Sequence, residues 1–218
     1  MMYNIAIDGP AGAGKSTIAK LVAKKLNFIY VDTGSMYRSL AYACLREGVT
    51  QGEKEKVVEV CRRSKVELSY ENGAQIVKLN GENVNPYIRT EEVSSMTSAI
   101  AVYSEVREVL LDLQRDMAKK CDLVMDGRDI GTNVLPNADV KVYLTASVET
   151  RAKRRYLEMK EKGVDISLAE IEKDIEERDY RDMHRDVAPL KQAEDAVYLD
   201  SSDMSIDEVV NAIIALVK

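Results

Sequence analysis

Cysteine and histidine are scarce in this chain of 218 residues, which contains three cysteines and one histidine. The cysteines, Cys44, Cys61 and Cys121, are an odd number at wide spacing, and a single histidine cannot complete a zinc site. The sequence therefore argues against a disulfide framework and against structural zinc. We expect the protein to reside in the reducing cytoplasm.

Long apolar runs and an excess of positive charge are also missing. No apolar stretch approaches the ~20 residues that a membrane helix needs, and the residues before Asp8 have no basic segment typical of a secretory signal. The formal net charge is −6, whereas a protein that neutralises a nucleic-acid backbone usually carries the opposite balance. We expect neither a membrane nor a nucleic acid as partner, and we expect a monomer.

Short apolar runs alternate with amphipathic segments, a pattern typical of an α/β fold with a parallel sheet. The apolar runs predict core strands at residues 3–7, 28–31, 121–126, 140–144 and 197–200. Apolar residues at helical spacing predict helices at residues 15–26, 35–46, 91–102, 105–119, 148–185 with a break near Gly163, and 205–217.

Residues 65–84 break this pattern and predict a small antiparallel insert. Apolar and polar residues alternate there, and two Asn-Gly pairs occur, at Asn72-Gly73 and Asn80-Gly81. Asn-Gly suits a two-residue type I′ turn, because both central residues of that turn take positive φ. The turns therefore predict three short antiparallel strands.

Residues 9–16 read Gly-Pro-Ala-Gly-Ala-Gly-Lys-Ser, which matches the phosphate-binding P-loop pattern G-x-x-x-x-G-K-[ST] at every position. The loop lies between a predicted strand and a predicted helix, so its backbone N–H groups and the helix N-terminus can bind phosphate. We expect Lys15 to reach the β- and γ-phosphates, Ser16 to bind Mg²⁺, and Thr17 to lie near the α-phosphate. The residues predicted to bind ATP here are Gly9, Pro10, Ala11, Gly12, Ala13, Gly14, Lys15, Ser16 and Thr17.

Asp126 ends the predicted strand at residues 121–126, the position at which P-loop proteins carry the acid that holds Mg²⁺ or its water shell. The alternative is an ordinary Asp-Gly turn at the end of a strand. Asp32, which follows the second strand, is a weaker candidate for the same role.

Features of GTPase switches are missing, and arginines are numerous instead. The sequence has no Asn-Lys-x-Asp segment and no glutamine in an Asp-x-x-Gly context. Guanidinium groups fit phosphate oxygens and suit an enzyme with two anionic substrates. The arginines at predicted loops and helices are Arg38, Arg107, Arg128, Arg151, Arg154, Arg155, Arg178, Arg181 and Arg185. They favour a kinase; a kinase for another small acceptor and a non-catalytic nucleotide-binding switch remain the alternatives.

Four segments together resemble the motifs of bacterial-type cytidylate kinases, which belong to the P-loop nucleoside-monophosphate kinases. These segments are residues 9–17, 32–38 (Asp-Thr-Gly-Ser-Met-Tyr-Arg), 126–132 (Asp-Gly-Arg-Asp-Ile-Gly-Thr) and 178–190, which includes Arg-Asp-Tyr-Arg-Asp-Met-His-Arg and Ala-Pro-Leu. The resemblance extends over nearly the whole chain. It implies transfer of the γ-phosphoryl group of MgATP to CMP or dCMP.

The resemblance also implies a P-loop NTPase-type parallel sheet flanked by helices, in a single domain over residues 1–218. Its implied parts are a core at about 1–62 and 119–218, a monophosphate-binding insert at about 63–102, and a helical closing arm at about 151–168. We expect the insert and the arm to move inward when both substrates bind, because closure excludes water from the reaction.

Site residues follow from the same resemblance. Those implied to hold the CMP phosphate are Arg38, Arg128 and Arg185. Those implied to face the cytosine are Ser98, Arg107 and Asp129. Those implied to lie at the ribose are Asp182 and Arg178. Those implied to line the acceptor site are Thr33 and Tyr37. Those implied to lie on the arm over ATP are Arg151, Arg154 and Arg155. The expected catalytic set is Lys15, Asp126, Arg128 and Arg185, with no general base, because the acceptor is already an anionic phosphate.

Overall fold

The computed structural model describes residues 2–71, 74–161 and 163–218. Its strands are β1 (Asn4–Asp8), β2 (Ile29–Asp32), β3 (Val66–Glu71), β4 (Ala74–Leu79), β5 (Glu82–Asn83), β6 (Leu123–Gly127), β7 (Val140–Thr145) and β8 (Val197–Asp200). Its α-helices are α1 (Lys15–Leu26), α2 (Thr33–Arg46), α3 (Lys54–Arg63), α4 (Glu91–Ile100), α5 (Ser104–Lys120), α6 (Val148–Glu161), α7 (Leu168–His184) and α8 (Ile206–Ile214).

The larger sheet has the strand order β2-β6-β1-β7-β8. Strand β1 lies at its centre and pairs in parallel with β6 and β7, with Ile5 opposite both Val124 and Val140. A parallel sheet covered on both faces requires continuous apolar strands, and Ile5, Ala6 and Ile7 are all completely buried. The prediction of a parallel α/β sheet is confirmed.

The carboxyl ends of these parallel strands position the candidate site. At the edge of the sheet that the carboxyl ends form, β1 ends at Asp8 beside Gly127, the last residue of β6. The P-loop starts directly after β1 and leads into α1. Ligands of such sheets bind beyond the carboxyl ends of the strands, so the polar residues that follow β1 and β6 are candidates for a binding site.

The predicted antiparallel insert is present as a second sheet of order β3-β4-β5. Leu79 of β4 pairs with Glu82 of β5, and the two residues between them, Asn80 and Gly81, have φ of 51° and 86°. Positive φ at both positions is what a type I′ turn requires, as predicted. The other predicted turn, Asn72-Gly73, lies outside the described residues.

The chain divides into two compact units. The first comprises the chain up to Tyr30 and from Cys121 to Lys218, and the second comprises Val31–Lys120. The first has an apolar core formed by β1, β7, α1 and α8, and the second a core formed by α2, α3, α4, α5 and the insert. The single domain, its insert and its closing arm, with the boundaries given above, stay predictions.

Two helical features were not predicted from the sequence. Helix α3 is highly charged, but Val57, Val60 and Cys61 share one buried face. Residues Ile130–Val134 form a single π-helical turn after β6. The predicted break near Gly163 is present, because α6 ends at Glu161 and α7 begins after Ser167. In the ranges described above, every helix is too short or too polar to span a lipid bilayer.

Candidate active site

The P-loop is shaped by close contact with the sheet and by the start of α1. Gly9 has a φ of +152°, and a β-carbon there would lie 1.9 Å from the carbonyl oxygen of Leu144 on β7. Only glycine can therefore pass the strand at this position. Gly14 precedes α1 and offers no side chain to cap it, so the N–H groups of the first turn are directed at whatever anion binds in the loop.

Lys15 is buried, and its Nζ donates a hydrogen bond to the carbonyl oxygen of Pro10 at 2.6 Å. Burial holds the pKa of this amine well below its usual range, and the positive charges of Arg128 and Arg178 lower it further. The carboxylates of Asp126 and Asp182 act in the opposite direction. Lys15 of the P-loop thus lies near Arg128 and Arg178, which the resemblance assigns to the binding site of the acceptor.

Asp126, for which the sequence predicts a role at Mg²⁺, lies beside the P-loop. Its Oδ2 accepts a hydrogen bond from Ser16 Oγ at 2.9 Å, and its Oδ1 accepts one from Tyr30 Oη at 2.9 Å. Within the described part of the chain, no cluster of three or more His, Cys, Asp or Glu could hold a metal alone. A hydroxyl and one carboxylate nevertheless suit Mg²⁺, which keeps several waters and takes further oxygens from substrate phosphates. Tyr30 was not anticipated.

Four predicted acceptor residues of the first unit form one connected network, since Arg185 Nη1, 3.9 Å from Asp182 Oδ1, joins its two ion pairs. Arg128 Nε donates to Asp182 Oδ2 at 2.8 Å, and Arg185 Nη2 donates to Asp129 Oδ1 at 3.4 Å. Arg185 Nε also donates to the carbonyl oxygen of Ala188 at 2.8 Å. Ala188 adopts a left-handed φ of 47°, so the chain after α7 turns back and presents this oxygen to the guanidinium.

Opposite charge keeps the pair of Arg128 and Asp182 ionised despite its burial. Burial alone would lower the pKa of Arg128, but Asp182 raises it above its ordinary value. Burial alone would raise the pKa of Asp182, but Arg128 and Arg178 hold it below its ordinary value. A carboxylate thus orients each guanidinium, and the positive charge of Arg178 acts on the same group.

Asp8 is a residue that the sequence analysis missed. Its Oδ1 accepts the backbone N–H of Ile130 at 2.8 Å, and its Oδ2 accepts that of Gly131 at 2.7 Å. The carboxyl group at the end of β1 therefore fixes the π-helical turn that directly follows Arg128 and Asp129. An acid at the end of the strand that enters the P-loop is the signal that could have indicated it.

The titration of Asp8 gives the first testable prediction. Burial raises its pKa from 3.8 to about 6, against the lowering effect of its two backbone hydrogen bonds. The folded protein thus holds this proton more tightly than the unfolded chain does. Its contribution to stability is fully present below about pH 4 and is lost, by about 3 kcal/mol, as the pH rises to about 6.

Urea unfolding of wild type and Asp8→Asn across pH 4 to 7 checks this expectation. The free energy of unfolding of wild type should fall relative to that of the variant over this window, because asparagine does not titrate. Parallel pH profiles for the two proteins would contradict it.

The remaining predicted acceptor residues lie in the second unit. Arg38 on α2 donates to Ser94 Oγ at 2.8 Å and to the carbonyl oxygen of Ile88 at 3.3 Å. The guanidinium of Arg107 on α5 lies 5.4 Å from the ring centre of Tyr37, a cation–π contact. Thr33 and Tyr37 lie on α2 and Ser98 on α4.

Asp32 has structural partners in the second unit. Its Oδ1 accepts the backbone N–H of Ser35 and so caps α2, and its Oδ2 pairs with Arg89 at 3.0 Å. Glu and Asp side chains at a helix start are stabilising because they satisfy N–H groups there. The structure therefore gives Asp32 a capping role, and the metal role considered for it stays a prediction.

The arginines predicted to lie over ATP contact protein atoms in the first unit. Arg151 is buried and pairs with Asp179 at 2.5 Å. Arg154 donates to the carbonyl oxygen of Ser201 at 2.7 Å, and Arg155 lies on the same helix, α6. Asp179, which the sequence analysis did not single out, is buried as well.

A parallel sheet, a P-loop between β1 and α1, and an acid at the end of β6 define a P-loop nucleotide-binding protein. Solved structures share this fold. A shikimate kinase from Bacteroides thetaiotaomicron matches with a TM-score of 0.50 and 16% identity, over 99% of this chain and 98% of its own. An uncharacterized protein from Eubacterium ventriosum matches with a TM-score of 0.52 and 15% identity, over 99% and 97%.

Sequence comparison identifies the family within this class. The model of the cytidylate kinase family matches residues 5–218. Cytidylate kinases from Lactobacillus gasseri and from Bacillus cereus are 46% and 49% identical to this chain, over 100% and 98% of it and over 94% and 95% of their own lengths. The chain belongs to the cytidylate kinase family, which confirms the resemblance of its motifs.

Proposed function

We propose that the protein transfers the γ-phosphoryl group of ATP to CMP or dCMP, giving ADP and CDP or dCDP, in the pyrimidine nucleotide metabolism of the cytoplasm. The observation that carries this proposal is the presence of Arg128 and Arg185 in the unit that contains the P-loop, where Asp182 and Asp129 hold them at 2.8 and 3.4 Å. Together with Lys15, these guanidinium groups supply the positive charge that two phosphate-bearing substrates need. We further propose that the enzyme is a monomer.

The donor is proposed to bind at the P-loop. The backbone N–H groups of residues 12–17 and the N-terminus of α1 would bind its phosphates, and Lys15 would contact the transferring group. Ser16 and Asp126, whose oxygens are 2.9 Å apart, would hold Mg²⁺. This ion would neutralise charge on the β- and γ-phosphates.

The acceptor phosphate is proposed to bind Arg128 and Arg185. A guanidinium has five N–H donors in a rigid fork, so Asp182 and Asp129 can orient these two side chains while other donors bind phosphate oxygens. Such positioning would supply most of the rate enhancement, because phosphoryl transfer is accelerated by alignment and charge neutralisation. Assignments to Arg38, Ser98 and Arg107 of the second unit are supported by the resemblance alone.

A panel of acceptors tests the proposal. ADP release from ATP should depend on CMP or dCMP and should be much slower with UMP, AMP, GMP or shikimate, measured in a coupled spectrophotometric assay. Shikimate is included because the fold is shared with a shikimate kinase. Preference for another acceptor would contradict the proposal, and the absence of any acceptor-dependent turnover would favour a non-catalytic switch.

A further inference from the structure

Two buried side chains, Asp179 on α7 and Arg151 on α6, bind both backbone polar groups of one P-loop residue. Asp179 Oδ1 accepts the N–H of Ala11 at 3.1 Å, and Arg151 Nη1 donates to the carbonyl oxygen of Ala11 at 2.8 Å. The same Nη1 lies 2.5 Å from Asp179 Oδ2. One ion pair therefore fixes the peptide groups on both sides of Ala11.

The contact continues as packing at the next residue, Gly12. Its φ is +74°, and a β-carbon there would lie 3.3 Å from Arg151 Cβ and 3.7 Å from Ile175 Cδ1. Helices α6 and α7 share a small apolar core in which Ala152, Ile171 and Ile175 are completely buried. The loop thus rests against a helix pair that has its own packing.

The position of Ala11 determines where the following N–H groups point. The methyl side chain of Ala11 cannot form a hydrogen bond that would anchor the loop. Ala11 also precedes the N–H groups that are proposed to bind phosphate. Its own N–H is directed at Asp179 instead of at the donor site. Hydrogen bonds to charged groups in a buried environment are strong, so the pair can hold this peptide in one orientation.

We propose that Asp179 and Arg151 are positioning residues of the donor site, which fix the backbone at Ala11 and thereby the P-loop conformation that binds ATP. The proposal rests on the proposed function in that it takes ATP as the ligand of the loop. Neither side chain needs to touch the nucleotide for this role. The simpler alternative is that the pair only joins α6 to α7.

A double variant, Arg151→Met with Asp179→Leu, separates the two roles. It removes both charges together, so no unpaired charge is left buried, and apolar residues of similar volume often replace a buried ion pair without loss of stability. The hydrogen bonds to Ala11 are lost. Because the N–H and carbonyl groups of Ala11 lose their buried partners, we expect a folded protein with a lower thermal unfolding midpoint than wild type. We also expect weaker binding of the analogue AMP-PNP with Mg²⁺, measured by isothermal titration calorimetry on the folded variant.

The expected rise in Kd is about 10-fold or more, because a P-loop that is no longer preorganised must be ordered when the nucleotide binds. Asp195→Asn is the matched control. Asp195 pairs with the buried Lys141 at 2.7 Å in the same unit. Among the described residues its hydrogen bonds go to Lys141 and not to the P-loop, so its replacement should leave the Kd unchanged.

A folded double variant that binds AMP-PNP as tightly as wild type would overturn the positioning role. If the double variant does not fold, Asp179→Asn replaces it, with the same expected and overturning results, because an amide cannot accept from both Ala11 and Arg151 as the carboxylate does. Failure of the proposed function can be told apart from failure of the positioning role. If the proposed function is wrong, wild type would bind AMP-PNP but would not release ADP from ATP in response to CMP or dCMP. Failure of wild type to bind AMP-PNP would overturn both.

Discussion

Replacing Lys15 with alanine should lower kcat by about 10³-fold or more while the protein stays folded. Among the described residues the amine donates one hydrogen bond, to the carbonyl oxygen of Pro10, which leaves further N–H donors for a phosphate. Its positive charge would stabilise the charge that develops on the transferring group. No other lysine in the described P-loop residues could take over this role.

The same substitution should make the empty protein more stable. Folding lowers the pKa of Lys15 through burial and through Arg128 and Arg178, so the charged amine is less favourable in the folded state than in the unfolded one. Removing it relieves this cost, and Asp126 keeps its hydrogen bonds from Ser16 and Tyr30. Loss of activity together with gain of stability is an outcome that a damaged fold cannot produce.

Thermal unfolding and steady-state kinetics with CMP measure the two effects. Lys15→Met, which retains the length of the side chain, should behave like Lys15→Ala. Lys24→Ala is the matched control, because Lys24 lies exposed on the same helix, α1. A folded Lys15→Ala protein with a near-normal kcat would refute the role of Lys15.

The P-loop could be predicted because its signal is local. Glycine is required at position 9 by the approach to Leu144, and the loop, its lysine and its helix lie within one short stretch of sequence. The position of Asp126 beside the P-loop follows in the same way, since the carboxyl ends of parallel strands meet at one edge of the sheet, whereas its role at Mg²⁺ stays a prediction. Both inferences follow from chain geometry that holds for any parallel α/β fold.

The anchors of the site could not be predicted because their contacts are distant in sequence. Asp179 binds Ala11 across 168 positions, and Asp8 binds Ile130 across 122. In the sequence, Asp179 stands among charged neighbours on an amphipathic helix and resembles any solvated acid. Only tertiary structure shows which of these acids is buried against a backbone N–H group.

Helix α3 was missed for a different physical reason. Its sequence is dominated by charged residues, so its mean hydropathy is low. The four apolar residues are too few to define a period in a short window; they are Val57, Val58, Val60 and Cys61. Packing against the core of the second unit stabilises it. Tertiary contact, more than intrinsic propensity, decides such short helices.

Replacing Asp129 with alanine should abolish discrimination between CMP and UMP. Cytosine has an N4 amino donor where uracil has the O4 acceptor, so a carboxylate accepts a hydrogen bond from cytosine and repels uracil. Asp129 is buried, and its Oδ2 accepts the amide of Asn133 at 3.1 Å while its Oδ1 lies 3.4 Å from Arg185 Nη2. These contacts fix the direction of the carboxylate that we propose reads the base.

The expected size of the effect separates this interpretation from its alternatives. A site built from buried polar groups can reject a mismatched partner by about 10⁴–10⁵, whereas an apolar slot gives only about 10–200-fold. Values of kcat/KM for CMP and UMP should therefore converge in Asp129→Ala, mostly through loss of activity with CMP.

Asp182→Ala is the comparison variant. Asp182 is proposed to lie at the ribose, which both nucleotides share, so this variant should lower both values of kcat/KM and keep their ratio. If the preference for CMP survives intact in a folded Asp129→Ala protein, Asp129 only orients Arg185, and another residue reads the base.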